Sequence, residues 1–424
     1  MNSRRLLREN IAALTALQLF SYVGPLLTVP YLVRVLKPTE FGLLSFAQGV
    51  VLYFDLLTDY GFNFSATRAI AAERHNSESV SRIFWSTLSA KVILMFFSAG
   101  VLSVLVFLVP KLREQPMLYG ASFLYVIGTA FFPVWLFQGL EQIKIAALSM
   151  GIARMLTVPA LLILVHSERD CVLAAAIQAS VQVTATLLVL PMLWKKMQLH
   201  WYQPSLADIM QTFKAGWPLF ISGCALYLST SSTTVVLGFS AGKAEVGYYS
   251  AADKLIKAAT SMLSPMTQAL YPHITALKNA SRSSALALIR KSLLSTGALA
   301  FLTSLASLTL ARPICHLFLG ASFNPSIHVL QWLSPLPLLF GLMSVFGTQT
   351  MLVFEMDSAM SRIMLASAIA GVPLTLALAR PFGARGAAAG AAVLAFSMLM
   401  AMIVTLRYRG LAVWQLHISE ASSG

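Results

Sequence analysis

Long apolar runs separated by short polar breaks dominate this chain of 424 residues. Each run is about 20 residues long, which is the length that a helix needs to cross the hydrocarbon core of a bilayer. Charged residues make up only 11% of the chain, well below the roughly 25% of soluble domains. The strands of a membrane barrel are short and alternate in polarity, unlike these runs. The sequence therefore predicts an all-α integral membrane protein.

About twelve spanning helices are predicted from these runs, with bounds that are approximate. The spans are 11–33, 41–63, 84–109, 117–138, 145–165, 171–194, 213–239, 247–270, 292–311, 327–354, 361–380 and 386–406. The first run is too long for the apolar region of a signal peptide and lacks a small-residue cleavage site, so we interpret it as a retained span.

The charges in the loops predict the orientation. With the N-terminus inside, the inner segments carry about twice as many Lys and Arg residues as the outer loops. We therefore expect both termini to be cytoplasmic. The net charge of +14 then reflects this asymmetry and not the binding of a nucleic acid.

An internal repeat relates the two halves of the chain. The segment KPTEFG at 37–42 has a counterpart in GKAEVG at 242–247, where the glutamates and the final glycines align at an offset of about 205 residues. Six helices per half would make the halves parallel repeats, related by an axis along the membrane normal, with a cavity between two bundles. We predict an N-terminal six-helix lobe at 1–200 and a C-terminal six-helix lobe at 201–424.

Ionisable side chains inside the spans are the best pointers to function, because each costs about 2.5–3.5 kcal/mol at the centre of a helix on insertion scales. They are Asp55, Asp59, Lys91, Arg154, Asp253, Lys254 and Lys257. Arg154 lies too deep in its span to reach the surface, and we interpret it as a cation that faces a cavity. Lys91 is closer to the cytoplasmic end, where its side chain could instead extend to the interface.

The acidic residues allow more than one interpretation. Asp55 and Asp59 share one helix face with Gln48 and Asn63. From Gln48 to Asn63, the four residues follow one another at intervals of 7, 4 and 4 positions. These carboxylates are candidates for carrying a proton or another cation, or for acting as counter-ions to a buried arginine such as Arg154 or to Arg68.

A second acidic residue lies beside lysines in the eighth predicted span. Asp253 and Lys257 are four positions apart and could simply pair with each other. Lys254 has no such neighbour along the sequence and is therefore the better candidate for a substrate ligand.

Signals of an enzyme or a metal centre are absent from the sequence. There is no HExxH, no phosphate-binding loop that ends in Gly-Lys-Ser/Thr, no Asp-x-Asp motif and no GxSxG. The cysteines Cys171, Cys224 and Cys315 are scattered, so we predict neither a metal nor a cofactor. Since no loop is long enough for a catalytic domain, we expect a transporter and not an enzyme.

Three segments carry a family resemblance. They are VPYLVRVLKPTEFGLLSFAQ, YFDLLTDYGFNFSATRAIA and GYYSAADKLIKAATSMLSPMTQALYPHI. They resemble the Wzx-type polysaccharide flippases of the MOP exporter superfamily, to which the MATE drug exporters also belong. The resemblance implies two six-helix lobes that translocate an undecaprenyl-pyrophosphate-linked oligosaccharide, such as an O-antigen repeat unit, to the periplasmic leaflet by alternating access.

The resemblance also implies a cavity lined by cations and coupling to an ion gradient. Lys91, Arg154 and Lys254, with Lys257 beside them, fit such cavity cations. The expected partners are the lipid-linked substrate, the bilayer, H⁺ or Na⁺ and the O-antigen polymerase machinery, and no nucleic acid. Asp55, Asp59 and Asp253 are the candidates for ion coupling or for counter-ions.

Two alternatives stay open at the level of the sequence. A MATE-like cation-coupled drug exporter would share the fold, but it would favour a cavity dominated by acids. A lipid-linked polysaccharide polymerase would need a large outer loop, and the longest candidate is 312–326.

Overall fold

The regular elements of the protein are helices. The computed structural model describes residues 3–195 and 199–411, and no strand occurs in these ranges. The helices are α1 (Ser3–Asp59), α2 (Phe62–Glu73), α3 (Ser77–Leu108), α4 (Pro110–Arg113), α5 (Pro116–Phe131), α6 (Val134–Gly139), α7 (Ile143–Leu164), α8 (Cys171–Lys195), α9 (Leu206–Ser240), α10 (Lys243–Ser261), α11 (Ser264–Ala280), α12 (Arg282–Thr309), α13 (Ala311–Phe318), α14 (Ser326–Leu333), α15 (Leu336–Met343) and α16 (Asp357–Tyr408). A π-helix, Ser344–Leu352, follows α15, and 3₁₀ turns lie at Glu168–Asp170 and Ala321–Phe323. The predicted all-α class is confirmed.

Eight helical segments of the described chain are long and apolar enough to cross a membrane, which confirms a multi-pass membrane protein. Leu27–Glu73 and Asp357–Tyr408 are 47 and 52 residues long, and each overlaps two of the predicted spans. Two further predicted spans, which coincide with α9 and with α10–α11, are not among the eight. In α10, Asp253, Lys254 and Lys257 lie within a helix of 19 residues and make it polar. The total of twelve spans stays a prediction.

Helix α16 is a helical hairpin. At Gly383 its backbone leaves the helical region, with φ 56° and ψ −135°. A Cβ atom on Gly386 would lie 1.9 Å from the carbonyl oxygen of Leu378, and one on Gly371 would lie 3.1 Å from Leu394 Cδ1. In each pair one residue precedes Gly383 and the other follows it, by a similar number of positions. Two antiparallel segments make contacts of this kind. The last two predicted spans therefore pack against each other within one continuous element.

The described contacts divide the chain into two compact units, Met1–Gly247 and Tyr248–Gly424. In the first unit α5 packs along α8, and α9 packs on α1, α2 and α3. The close approach of α5 to α8 depends on Gly128, where a Cβ atom would lie 2.4 Å from Gln182 Cβ. In the second unit α12 packs on α15 and α14 on α16. The predicted lobes at 1–200 and 201–424 stay a prediction.

The two repeated sequence motifs pack directly against each other inside the first unit. A Cβ atom on Gly42 would lie 1.9 Å from the carbonyl oxygen of Lys243, and one on Gly247 would lie 2.0 Å from the carbonyl oxygen of Pro38. Pro38 and Lys243 occupy equivalent positions in the two motifs, as do the two glycines. The contact is therefore reciprocal, as a local two-fold relation between the repeats requires.

Charged side chains strengthen the same junction. Lys243 Nζ lies 2.5 Å from Glu114 Oε2, and this hydrogen bond lowers the pKa of Glu114. Lys111 Nζ donates to the carbonyl oxygens of Phe239 and Ala241, both at 3.2 Å. The end of α9 and the start of α10 are thus fixed to α4 and the segment that follows it.

The start of α9 is held by a polar network around Asp208. Ser205 Oγ accepts from the backbone N–H of Asp208 at 3.2 Å, and the carboxylate accepts from the backbone N–H of Ser205 at 2.9 Å, which forms a capping box. Arg82 Nε of α3 and the Tyr202 hydroxyl also donate to this carboxylate, each at 2.9 Å. The hydrogen bond from Arg82 holds the pKa of Asp208 far below its usual range.

We expect Asp208→Asn to lower the melting temperature of the purified protein at pH 7, because the amide loses the charge-assisted bonds to Arg82. Ser205→Ala should cost about 1 kcal/mol as the loss of an N-cap. Since the pKa of Asp208 is lowered by folding, its contribution is present above the ordinary value of about 3.9 and is lost as the pH falls below it. The measurement is thermal unfolding of the full chain in detergent between neutral and acidic pH.

The control is Glu168→Gln, which neutralises an exposed carboxylate in the 3₁₀ turn before α8. A gap between wild type and Asp208→Asn that stays constant down to acidic pH would contradict this account.

Candidate functional site

The polar stripe predicted on one helix face is split between two helices in the structure. Asp55 and Asp59 lie in α1, which ends there, and Asn63 lies in the first turn of α2. Between them the backbone takes the left-handed conformation at Tyr60 (φ 49°) and Gly61 (φ 77°). The three polar side chains nevertheless line one cavity of about 260 Å³ in the first unit.

A buried lysine from α3 reaches into this cavity. Lys91 is 2% exposed, and its Nζ lies 3.1 Å from Asp59 Oδ1 and 3.4 Å from the carbonyl oxygen of Thr129. The side chain therefore does not extend to the membrane surface, which was one of the two interpretations open from the sequence. The counter-ion of Asp59 is Lys91 and neither Arg154 nor Arg68.

Asp55 is buried beside this pair and is held by a hydroxyl group. Thr129 Oγ1 lies 2.5 Å from Asp55 Oδ1 and 3.0 Å from the carbonyl oxygen of Val126. A hydroxyl group has a single proton, and the shorter distance assigns it to the carboxylate. Thr129 thus links the two acids, because its hydroxyl binds Asp55 and its carbonyl oxygen binds Lys91.

Side chains that the sequence reasoning missed complete the cavity wall. Two tyrosines and a glutamine line it, namely Tyr125 of α5, Tyr227 of α9 and Gln182 of α8. Tyr125 and Thr129 are four residues apart in an apolar span and are therefore neighbours on one helix face. This spacing is the sequence signal that could have identified them as residues of one site. Gln178, one helical turn before Gln182 in α8, accepts a hydrogen bond from Gln48 at 3.0 Å.

The composition of the cavity determines what it can bind. It holds two carboxylates, Asp55 and Asp59, and one ammonium group, Lys91. Asn63 Oδ1 and Gln182 Oε1 are buried acceptors without a hydrogen-bond partner in the described residues. This arrangement suits a proton, a small cation or a hydroxyl-bearing ligand, and it does not suit a pyrophosphate. No group of three or more His, Cys, Asp and Glu side chains that could hold a metal ion occurs in the described residues.

Arg154 lies apart from this cavity wall. It is half-buried near the middle of α7 and lies within electrostatic range of Tyr125. The predicted role of Arg154 as a cation that faces a cavity stays a prediction.

The remaining ionisable candidates follow one helix of the second unit. Lys257 Nζ of α10 lies 2.7 Å from Asp253 Oδ2, which is the pairing that the spacing of four residues allowed. Lys254 is half-buried and lies within electrostatic range of Asp253. The seven candidates therefore form a buried cluster in the first unit, a single arginine in α7 and a charged segment of α10.

A family model described as "Polysaccharide biosynthesis protein" matches residues 7–278. The chain belongs to this family. A protein of Escherichia coli (strain K12) that is named as an O-antigen transporter is 32% identical over 389 residues, which cover 92% of this chain and 94% of the relative. A protein of Shigella dysenteriae with the same name is 28% identical over 384 residues, covering 90% and 95%.

Solved structures agree with this assignment at the level of the fold. An inward-facing multidrug resistance MATE family transporter of the MOP superfamily matches with a TM-score of 0.68 at 14% identity, over 94% of this chain and 96% of that chain. An outward-facing structure described in the same words matches with a TM-score of 0.60 at 14% identity, over 96% and 97%. The predicted MOP-type fold is confirmed. The prediction of a transporter is supported by the two relatives that are named as O-antigen transporters.

Proposed function

We propose that this member of the polysaccharide biosynthesis family is a flippase. It translocates an undecaprenyl-pyrophosphate-linked oligosaccharide, an O-antigen repeat unit or a related glycan, from the cytoplasmic to the periplasmic leaflet of the bacterial inner membrane by alternating access. The observation that carries the proposal is the identity of 32% over 92% of the chain to a protein named as an O-antigen transporter. Both termini lie in the cytoplasm in this proposal, in keeping with the distribution of Lys and Arg.

The substrate has three chemically different parts, and each needs a different environment. The polyprenyl tail stays in the bilayer. The pyrophosphate needs Lys or Arg side chains in a site of low dielectric constant, for which Arg154 and Lys254 are the candidates. The glycan needs hydroxyl and amide partners of the kind that line the cavity in the first unit, such as Tyr125, Asn63 and Gln182.

The charge network gives Lys91 and Lys257 a supporting role in this proposal. Each ammonium group is paired with a carboxylate, Lys91 with Asp59 at 3.1 Å and Lys257 with Asp253 at 2.7 Å. Their positive charge is therefore largely compensated before a substrate arrives. In this proposal the pyrophosphate binds at Arg154 or Lys254, and Lys91 holds the carboxylates of Asp55 and Asp59 in place.

The membrane potential can drive the cycle. Moving an anion outward from a negative interior gains roughly 2.3 kcal/mol per charge per 100 mV. Asp55 is the candidate for coupling to H⁺ or Na⁺, because it is buried and its one described hydrogen bond comes from the neutral hydroxyl of Thr129. Flux that is independent of both ion gradients would remove this coupling step from the proposal.

The test is glycan turnover in inverted membrane vesicles with Arg154→Ala and wild type at equal expression. We expect wild type to translocate lipid-linked glycan and Arg154→Ala to lose about 10-fold or more, because a cation that binds phosphate contributes roughly 1.5–3 kcal/mol. Arg169→Ala is the control, since Arg169 is exposed in a 3₁₀ turn. Equal activity of wild type and Arg154→Ala would reject the role of Arg154, and absence of glycan turnover in wild type would reject the flippase.

A MATE-like cation-coupled drug exporter is the second candidate. One observation favours it, namely that carboxylates outnumber the ammonium group in the cavity of the first unit, as a site for a cationic drug requires. Export of cationic drugs by wild type, with no turnover of glycan in the same vesicles, would establish this alternative. Association with a polymerase stays a prediction.

A further inference from the structure

A basic pocket lies at one end of the second unit and is not used in the transport mechanism. It has a volume of about 470 Å³ and lies between the end of α11, the start of α12 and both ends of α16. Four cations line it, Lys278, Arg282, Arg362 and Arg409, with one carboxylate, Glu355. All four cations belong to segments for which the sequence predicts a cytoplasmic location.

The positive charge of the pocket is only partly compensated. Lys278 Nζ lies 2.6 Å from Glu355 Oε1, and the hydrogen bond lowers the pKa of Glu355. The guanidinium of Arg282 lies over the ring of Phe354 at 5.9 Å, which leaves its edge able to donate hydrogen bonds. Arg362 Nε donates to the carbonyl oxygen of Ser358 at 3.2 Å, and a carbonyl oxygen brings no formal charge. Three of the four cations thus remain without a carboxylate among the lining residues.

Two exposed apolar stripes begin at the pocket. Leu365 and Ile369 lie three and seven positions after Arg362, on the same face of α16. Val404 and Tyr408 are exposed just before Arg409, and Tyr408 is 88% exposed. Apolar side chains beneath a ring of cations, with a tyrosine at the boundary, are typical of the membrane interface. A ligand that fits this surface carries a phosphate at one end and hydrocarbon at the other.

We propose that this pocket binds the phosphate headgroup of an anionic phospholipid. Arg362 and Arg409 present guanidinium groups, which can bind phosphate oxygens in pairs. The acyl chains lie along the apolar stripes of α16. The proposal is independent of the transported substrate, because every residue that carries it lies outside the candidate transport site.

Glu355 limits the affinity of the pocket for a phosphate group. Its carboxylate holds Lys278, so an arriving phosphate must compete for this ammonium group. Removing the carboxylate should strengthen binding, whereas removing the arginines should weaken it. Opposite effects from neighbouring positions distinguish a binding site from a region that only supports the fold.

The experiment is native mass spectrometry of the purified full chain in detergent, titrated with phosphatidylglycerol and with phosphatidylethanolamine of the same acyl chains. We expect wild type to prefer phosphatidylglycerol. Arg362→Gln with Arg409→Gln should weaken the binding of phosphatidylglycerol about 10-fold or more, and Glu355→Gln should tighten it by about threefold. Arg312→Gln with Arg380→Gln is the control, since both arginines are exposed in the same unit and do not line the pocket.

Three outcomes would overturn the proposal. They are equal binding of both lipids by wild type, unchanged binding of phosphatidylglycerol by the double arginine variant, and displacement of the lipid by inorganic phosphate at a similar concentration, which would mark a site for a free anion. If the double variant does not fold, Glu355→Gln decides the question, because unchanged or weaker binding by that variant contradicts the competition that the pocket requires.

Discussion

Lys91→Met is expected to destabilise the protein by about 3 kcal/mol and to abolish transport. Lys91 is 2% exposed, and its removal leaves the buried Asp55 and the partly exposed Asp59 without a cation within contact distance among the described residues. Breaking a buried ion pair by removing one partner typically costs about 3–5 kcal/mol. Methionine is close in volume to the lysine side chain, so the loss is electrostatic and leaves no large cavity. The measurements are thermal unfolding in detergent and glycan turnover in vesicles.

The double variant Lys91→Met with Asp59→Asn separates charge from packing. We expect it to recover most of the lost stability, because the uncompensated charge is removed together with its partner. Transport should remain low if the cluster takes part in the cycle. Lys144→Met is the matched control, since Lys144 is exposed at the start of α7. A stability of Lys91→Met equal to that of Lys144→Met would show that the buried pair does not hold the first unit together.

Gly42→Ala is the second substitution with a large expected effect. The new Cβ atom would lie 1.9 Å from the carbonyl oxygen of Lys243 and 2.6 Å from the backbone nitrogen of Gly247, and backbone atoms cannot turn aside as a side chain can. The two motifs must therefore separate. We expect a loss of about 3 kcal/mol, at the upper end of the cost of overpacking, and a loss of transport. Melting temperature and glycan turnover are again the measurements.

Gly247→Ala should have a similar effect, because its Cβ atom would lie 2.0 Å from the carbonyl oxygen of Pro38. The double variant should be little worse than either single one, since both disrupt the same contact. Gly100→Ala and Gly120→Ala are controls in helices where nothing lies within 4 Å of the new atom. Alanine is the better helix former by about 1 kcal/mol, so these controls should be neutral or slightly stabilising. Equal melting temperatures for Gly42→Ala and the controls would contradict the close packing of the motifs.

The candidate site was only partly predictable. Asp55, Asp59 and Lys91 were found because a charge in an apolar helix is conspicuous at any position in the sequence. Their pairing was not predicted. Lys91 lies in α3, and nothing in the sequence shows that α3 packs against the part of α1 that carries the two aspartates. Thr129 was missed because a threonine in an apolar span most often serves only the packing of neighbouring helices. Its position between Asp55 and Lys91 is a property of the packed helices.

The sequence by itself determined the membrane environment, the helical class and the relation between the two motifs, because apolar length and repeated residues are local properties of the chain. It also identified Gly42 and Gly247 as equivalent positions. Only the tertiary structure showed that these glycines bring the motifs into backbone contact, that Gly383 folds α16 into a hairpin, and that both ends of α16 contribute arginines to one pocket. These features depend on contacts between residues far apart in the chain, and such contacts are decided by how the helices pack and not by their composition.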